Sequence, residues 1–267
     1  MRTLAFHQLP RGFAQNLDRA PVPPAEPKPA STLALLRRGK AGLEALLLRR
    51  SQATRFIPGA WVFPGGRLDP ADGSPSLTGR LKGLSGEDSP GPAFWSAAFR
   101  ETFEETGILL HALPRAARAG RVTAGEAGND TRFKVQQGEL GFGEFLENLD
   151  VELNAGAVAY IGHWVTPASE PIRFDTRFFA TEVPDGCPVY PDGTELEDAI
   201  WVSPREALAR NESGDLPMAY PTLVTLMELQ SFETPSAAIQ ALQDRPIPRL
   251  VPRLVREPDG VRFLLGD

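Results

Sequence analysis

The stretch that most constrains this chain is RETFEETGI at 100–108, because it sets three carboxylates within little more than one turn of a helix. Glu101, Glu104 and Glu105 stand at i, i+3 and i+4. At about 100° per residue they share one face, while Trp95, Phe99, Thr102 and Phe103 project to the opposite side. One face can enter a core and the other presents negative charge. Like charges at i,i+4 destabilise a helix by roughly 0.2–0.5 kcal/mol per pair, so something has to offset them. Arg100, four residues before Glu104, can offset one; the other two have no basic neighbour in sequence. Such an oxygen cluster suits Mg²⁺ or Mn²⁺, hard cations that bind through a few carboxylates together with substrate phosphates. For an isolated helix the alternative is a solvated acidic face.

This helix has company upstream, in FPGGRLDPAD at 63–72. A Gly-Gly pair after an apolar run marks a tight turn where backbone can approach a ligand or metal closely. Gly66, Asp72, Arg100-Glu101, Glu104-Glu105, Gly107 and Ile108 together resemble the Nudix box, GX5EX7REUXEEXGU with U apolar. The chain departs from that pattern in three ways. Asp72 stands for Glu, Thr102 stands for an apolar residue, and 27 residues separate Asp72 from Arg100 where the pattern has seven. The surplus segment, GSPSLTGRLKGLSGEDSPGP, is rich in Gly, Pro and Ser and reads as a surface loop. Loop-closure entropy grows slowly with length, so the insertion need not harm the site. An enlarged box loop occurs in one branch of the family.

Two flanking stretches resemble the coenzyme A diphosphatase branch. LLLRRSQATRFIPG resembles LLTxRSxxLRxxPG, with Leu46, Leu47, Arg50, Ser51, Arg55, Pro58 and Gly59 matching. HWVTPASEPIRFDTRFFATEV resembles the WxTP…RFDTRFF stretch of a branch that includes peroxisomal enzymes of this kind. The resemblance implies an α/β fold, the Nudix α/β/α sandwich with a mixed β-sheet. It implies hydrolysis of a nucleoside-linked diphosphate, with Mg²⁺ or Mn²⁺ held by Glu101, Glu104, Glu105 and the carbonyl of Gly66 or Gly65. Arg100 would orient a carboxylate, and Glu195 or Glu101 would act as base. Glu195, six residues before Trp201, is the first choice among the loop acids and Glu197 the second. Arg50, Arg55 and Arg177 are the candidate substrate-binding residues. Guanidinium groups bind phosphate bidentately, although Arg173 and Arg177 could equally be cross-strand charges. The implied substrate is coenzyme A or an acyl-CoA, with ADP-ribose or a nucleoside diphosphate sugar as the alternative. A Nudix-fold binding module without turnover is the alternative from another class, and the presence of all three glutamates counts against it.

Composition narrows the partners. At 267 residues the chain can bury a sizeable core, and its net charge of −6 offers no electrostatic footprint for nucleic acid or anionic lipid. Cys187 is the single cysteine, which excludes an internal disulfide; His7, His111 and His163 are too scattered to suggest a metal pair. No run reaches the ~18 apolar residues of a membrane helix and none resembles a secretory leader, so the expectation is a cytoplasmic protein with a small-molecule nucleotide as partner. Along the chain we read a Pro-rich arm at 1–30, a hydrolase domain at 31–232 and an extension at 233–267. Strands are expected at 33–36, 43–49, 61–63, 157–165, 174–183 and 200–202. The acidic helix starts near Pro92 or Ala93 and stops at Gly107. The domain carries the box loop at 73–92 and a mostly helical insertion, read as a lid, at 111–155, with helices at 122–134 and 143–149. Another helix is capped by Ser203, Pro204 and Glu206, and a further one spans 222–231. Alternating runs around Pro258-Asp259-Gly260 predict a C-terminal hairpin, an arm able to pack across a homodimer.

Overall fold

The leucine-rich runs at 33–36 and 46–48 carry apolar side chains at consecutive positions, which suits strands buried on both faces. The computed structural model describes residues 2–11, 13–17, 23–84, 90–112, 129–243 and 245–265. In chain order, β1 (Arg2–Ala5) and the short α1 (Phe13–Asn16) lead into β2 (Lys28–Gly39) and β3 (Gly42–Arg50). After them come β4 (Trp61–Val62), β5 (Gly65–Arg67), α2 (Pro75–Thr78), β6 (Leu81–Lys82) and the acidic helix α3 (Pro92–Thr106). The next elements are β7 (His111–Ala112), α4 (Asn129–Gln136), α5 (Phe142–Asn148) and β8 (Glu152–Asn154). β9 (Val158–Val165), β10 (Phe174–Glu182) and β11 (Leu196–Val202) follow. The chain closes with α6 (Pro204–Glu212), α7 (Tyr220–Leu229), α8 (Pro235–Gln243), β12 (Arg249–Leu250), β13 (Arg253–Glu257) and β14 (Gly260–Leu264).

The central sheet is mixed, in the order β11-β3-β2-β10-β9-β12, with β4 paired to β3 and β5 to β2. β2 and β10 run parallel, placing Leu33 opposite Phe179, whereas β2 and β3 form an antiparallel hairpin. Alternation along β2 divides the core in two. Leu33 and Leu35 pack with Trp95, Phe99 and Phe103 of α3, and Ala34 and Leu36 face the layer holding Leu223 and Leu226 of α7. Each fully buried leucine contributes roughly 1.5–3 kcal/mol. The result is the expected α/β/α sandwich, with helices on both faces of the sheet.

The start and stop of α3 follow local chemistry. Pro92 occupies a first-turn position, and Gly107 adopts the left-handed conformation (φ 74°) while its N–H bonds Phe103 O at 2.8 Å. Thr102 is buried and donates its hydroxyl to Ala98 O at 2.8 Å, so a hydroxyl is accommodated where the box pattern has an apolar residue.

Several segments are more tightly integrated than their composition suggests. The N-terminal stretch read as a Pro-rich arm docks at both ends: β1 pairs with β14, and Lys28, Pro29 and Ala30 already belong to β2. Proline is tolerated there because it lies at the strand's beginning. Leu4 and Leu9 are buried, and Gln8 donates to Asn211 Oδ1 at 3.2 Å while Asn211 Nδ2 donates to Gln8 O at 2.9 Å. The box insertion is not wholly a surface loop, since α2 and β6 bury Leu77 and Leu81 in the α3-side core. Within the 111–155 insertion, helix is described from Asn129 onward and the short strands β7 and β8 flank it; 113–128 lie outside the described residues. Helix α8 had no counterpart in the sequence reading. The C-terminal hairpin turns at Pro258-Asp259 and pairs with β1 of its own chain, so close that a Cβ on Gly260 would lie 2.1 Å from Leu4 O. No helix among the described residues is long and apolar enough to cross a membrane.

Candidate active site

The Gly-Gly turn is wedged between β2 and α3, where backbone crowds the first glycine and a side chain crowds the second. Gly65 has φ +155°, and a Cβ there would lie 2.3 Å from Ser31 O. A Cβ on Gly66 would come within 2.5 Å of the Glu101 carboxyl. The turn pairs with Thr32 and Ser31 on one side, and on the other the Gly65 N–H donates to Glu105 Oε2 at 2.8 Å. The acidic face of α3 is thus largely covered, unlike a solvated charge run: Glu104 is 9% and Glu105 7% exposed.

One guanidinium organises the cluster. Arg100 donates to both oxygens of Asp72 (2.9 and 2.9 Å), to Glu101 (2.9 Å), to Glu104 (3.2 Å) and to the Arg67 carbonyl (3.0 Å). Burial opposes the charge on Arg100, and Asp72, Glu101 and Glu104 outweigh it, so the guanidinium stays ionised. Burial pushes Glu104 up to about 7, with Arg100 pulling the other way. Glu105 rises well above the usual carboxylate range, mainly through burial and then repulsion from Glu101, against the Gly65 N–H. Glu101 is also raised, first by burial, with Glu195 among the repelling charges. Two buried carboxyls and the half-buried one of Glu101, facing a common cleft, are a hard-oxygen donor set whose mutual repulsion a divalent cation would relieve. Among the described residues no three His, Cys, Asp or Glu side chains are already arranged to hold a metal ion by themselves. An open site is nonetheless what Mg²⁺-type ions use, since waters and substrate phosphates fill much of their coordination.

The cleft has a volume of about 570 Å³ and is lined by two unlike sets of side chains. Glu101, Glu104, Glu105, Glu195 and the two glycines form one set, with Arg50 near enough for its charge to act on Glu105. Aromatic side chains form the other: Tyr220 stacks on Phe263 at 3.8 Å, Trp164 meets Tyr220 edge-on at 5.8 Å, and Phe56 meets Phe174 at 4.9 Å. Phe13 joins Phe263, so both terminal segments help build this wall.

The remaining candidates separate by position. Glu195 stands in the loop before β11, exposed and on the cleft. Glu197 is turned away, accepting the Ser51 hydroxyl at 2.7 Å and lying 3.7 Å from Arg49. Arg50 lines the cleft, donates to Phe56 O at 3.0 Å, and its charge favours ionised Glu105. Arg55 is exposed and off the cleft wall. Arg177 is a correction to the sequence reading: Phe174, Thr176 and Phe178 of β10 line the cleft, so strand alternation sends Arg177 to the other face. There it bonds Asp175 and His163 and lies over the Phe94 ring at 4.6 Å. Arg173 is likewise spent on backbone, donating to the carbonyls of Thr166 and Ala25. The sequence reading missed Asp192 and the aromatic wall; neither has a spacing signal, because each is assembled from distant segments.

Comparison with known proteins points to one family. A family model described as the NUDT19 Nudix domain matches residues 84–229, and one described as the NUDIX domain matches 27–139. The chain is similar to acyl-coenzyme A diphosphatase NUDT19 of Homo sapiens, 28% identical over 92% of this chain and 74% of the relative. It is equally similar, at 28% identity over 86% of this chain and 73% of the relative, to the protein of that name from Gallus gallus. Among solved structures, a NUDIX hydrolase from Alicyclobacillus acidocaldarius aligns with a TM-score of 0.71 and 30% identity, covering 83% of this chain and 99% of that one.

Proposed function

The chain belongs to the Nudix family and is a Nudix pyrophosphohydrolase, and from that premise we propose that it cleaves the diphosphate of coenzyme A or an acyl-CoA. The observation that carries this reading is a single cleft lined both by carboxylates suited to a metal-bound diphosphate and by aromatic side chains suited to an apolar tail. The similarity to acyl-coenzyme A diphosphatases supports the same substrate class.

Nudix enzymes use divalent metal cations, and we assign Mg²⁺ or Mn²⁺ to Glu101, Glu104 and Glu105, with the Gly66 or Gly65 carbonyl beside them. A bound cation would neutralise the diphosphate and acidify a water. Glu195 faces the same space and takes the proton from the water that attacks phosphorus; the bridging P–O bond breaks and the displaced phosphate leaves on the other product. Arg50, near the carboxylates, balances diphosphate charge. Arg100 keeps Glu101 and Glu104 in place through their shared hydrogen bonds.

Mass spectrometry of products is the test, using purified protein with Mg²⁺ or Mn²⁺ and separate tubes of CoA, an acyl-CoA and ADP-ribose. Adenosine 3′,5′-bisphosphate with the (acyl)phosphopantetheine is the expected result. Adenosine monophosphate from ADP-ribose alone would overturn the substrate assignment while keeping the chemistry. Silence in all tubes would favour a binding role.

A further inference from the structure

The loop that carries Glu195 is held by two side chains that the mechanism above does not use. Asp192 is 5% exposed and lies on the cleft wall. Its Oδ1 accepts the backbone N–H of Thr194 (2.6 Å), Glu195 (2.8 Å) and Leu196 (3.4 Å), together with the Thr194 hydroxyl (2.6 Å). Its Oδ2 is buried without a hydrogen-bond partner among the described residues. Charge-assisted bonds of this kind are among the stronger ones a loop can make, and here they converge on one oxygen.

The second side chain comes from the insertion. Arg132 of α4 is 2% exposed, and its Nη1 donates to Tyr190 O at 2.5 Å. Asp192 attracts its charge, offsetting part of the cost of burying it. The same loop is tied to the end of α3 by Tyr190 N–H to Thr106 O (3.0 Å) and to the residue after β3 by Ser51 N–H to Glu195 O (2.8 Å). A buried arginine is expensive unless it is paired and hydrogen-bonded. Here it fixes the backbone two residues before Asp192.

We propose that Asp192 is the positioning residue for Glu195, and that Arg132 carries control of that pose from the inserted helix into the site. The proposal rests on the reading of Glu195 as base. A glutamate on a free loop would have backbone freedom to lose at every turnover; hydrogen bonds that fix the loop backbone in advance remove that part of the loss. The insertion is thereby part of the catalytic framework and more than a cover over it.

The test is a double-mutant cycle on the full chain with Mn²⁺ and CoA. Glu195→Gln is expected to lower kcat about 100-fold or more, with KM little changed. Asp192→Ala should lower kcat comparably and flatten the same limb of the kcat–pH profile, and adding it to Glu195→Gln should cost nothing further. Asp192→Asn, whose Oδ1 still accepts the amides, should rescue most of the loss. Mn²⁺ affinity, read by electron paramagnetic resonance, should stay within about threefold in Asp192→Ala, a smaller change than the 10- to 100-fold that losing a support of a metal ligand causes. Full activity in Asp192→Ala, additive losses, or Asn as damaging as Ala would each overturn the proposal. Wild-type kcat in Glu195→Gln would instead overturn the base assignment on which it rests. Should Asp192→Ala fail to fold, Arg132→Lys carries the cycle: a kcat loss of about tenfold, absent in the Glu195→Gln background, is expected, and an unchanged kcat would sink the idea.

Discussion

Arg100 grips both carboxylate oxygens of Asp72 at 2.9 Å although 27 residues separate them in the chain, and Asp72 has no solvent exposure at all. That fork closes the enlarged box loop onto α3. Asp72 also accepts the Asp69 N–H at 2.8 Å, so the loop's first turn and the helix share one anchor. The insertion between them adds α2 and β6 to the surrounding structure and leaves the anchor in place.

Removing Asp72 strands a guanidinium that is mostly buried. Asp72→Ala is expected to cost about 3 kcal/mol, the usual magnitude for breaking a buried ion pair from one side. Urea denaturation would measure it, and an unchanged midpoint would show that Glu101 and Glu104 suffice to hold Arg100.

The carboxylates of α3 should matter for turnover more than for folding. A cation contributes several kcal/mol of charge stabilisation, equivalent to about 10²-fold or more in rate. Glu104→Gln and Glu105→Gln should each lose that much in kcat while keeping the wild-type circular dichroism spectrum. Near-normal turnover in both would remove the metal assignment.

The two glycines should part company on substitution. A Cβ on Gly65 meets backbone at Ser31 O, which cannot yield, so Gly65→Ala should lower the melting temperature sharply. A Cβ on Gly66 meets only the movable Glu101 carboxyl, so Gly66→Ala should fold normally but bind Mn²⁺ more weakly. Calorimetric titration against thermal melts separates the two, and equal stability of both variants would contradict this geometry.

Glu170 provides a pH signature away from the site. It is 3% exposed, accepts Asn16 Nδ2 at 2.7 Å, and has its other oxygen buried without a hydrogen-bond partner among the described residues. Burial pushes its carboxyl up to about 7 from 4.5, the Asn16 bond opposing. A raised folded-state pKa means the neutral form is favoured by folding, so this contribution is complete below about 4.5 and is lost as pH rises through about 7. Glu170→Gln should therefore melt close to wild type at pH 5 and clearly higher at pH 8. A difference between the two proteins that does not vary with pH would refute it.

What the sequence determined by itself was local. Periodicity and capping residues placed α3 between Pro92 and Gly107, and the Ser203 cap and the buried hairpin of β2 and β3 were legible for the same reason: each depends on contacts within a few residues. The relation of the box glutamates to the Gly-Gly turn was legible through a recurring motif. Tertiary structure decided the rest. Strand alternation in a sheet of known register sent Arg177 away from the cleft and Phe174 toward it. The aromatic wall joins Phe13, Tyr220 and Phe263, which no local pattern connects. Arg132 reads as an ordinary charge on a polar helix until the fold buries it beneath the Glu195 loop, because burial and long-range pairing are properties of the packed chain and have no period to betray them.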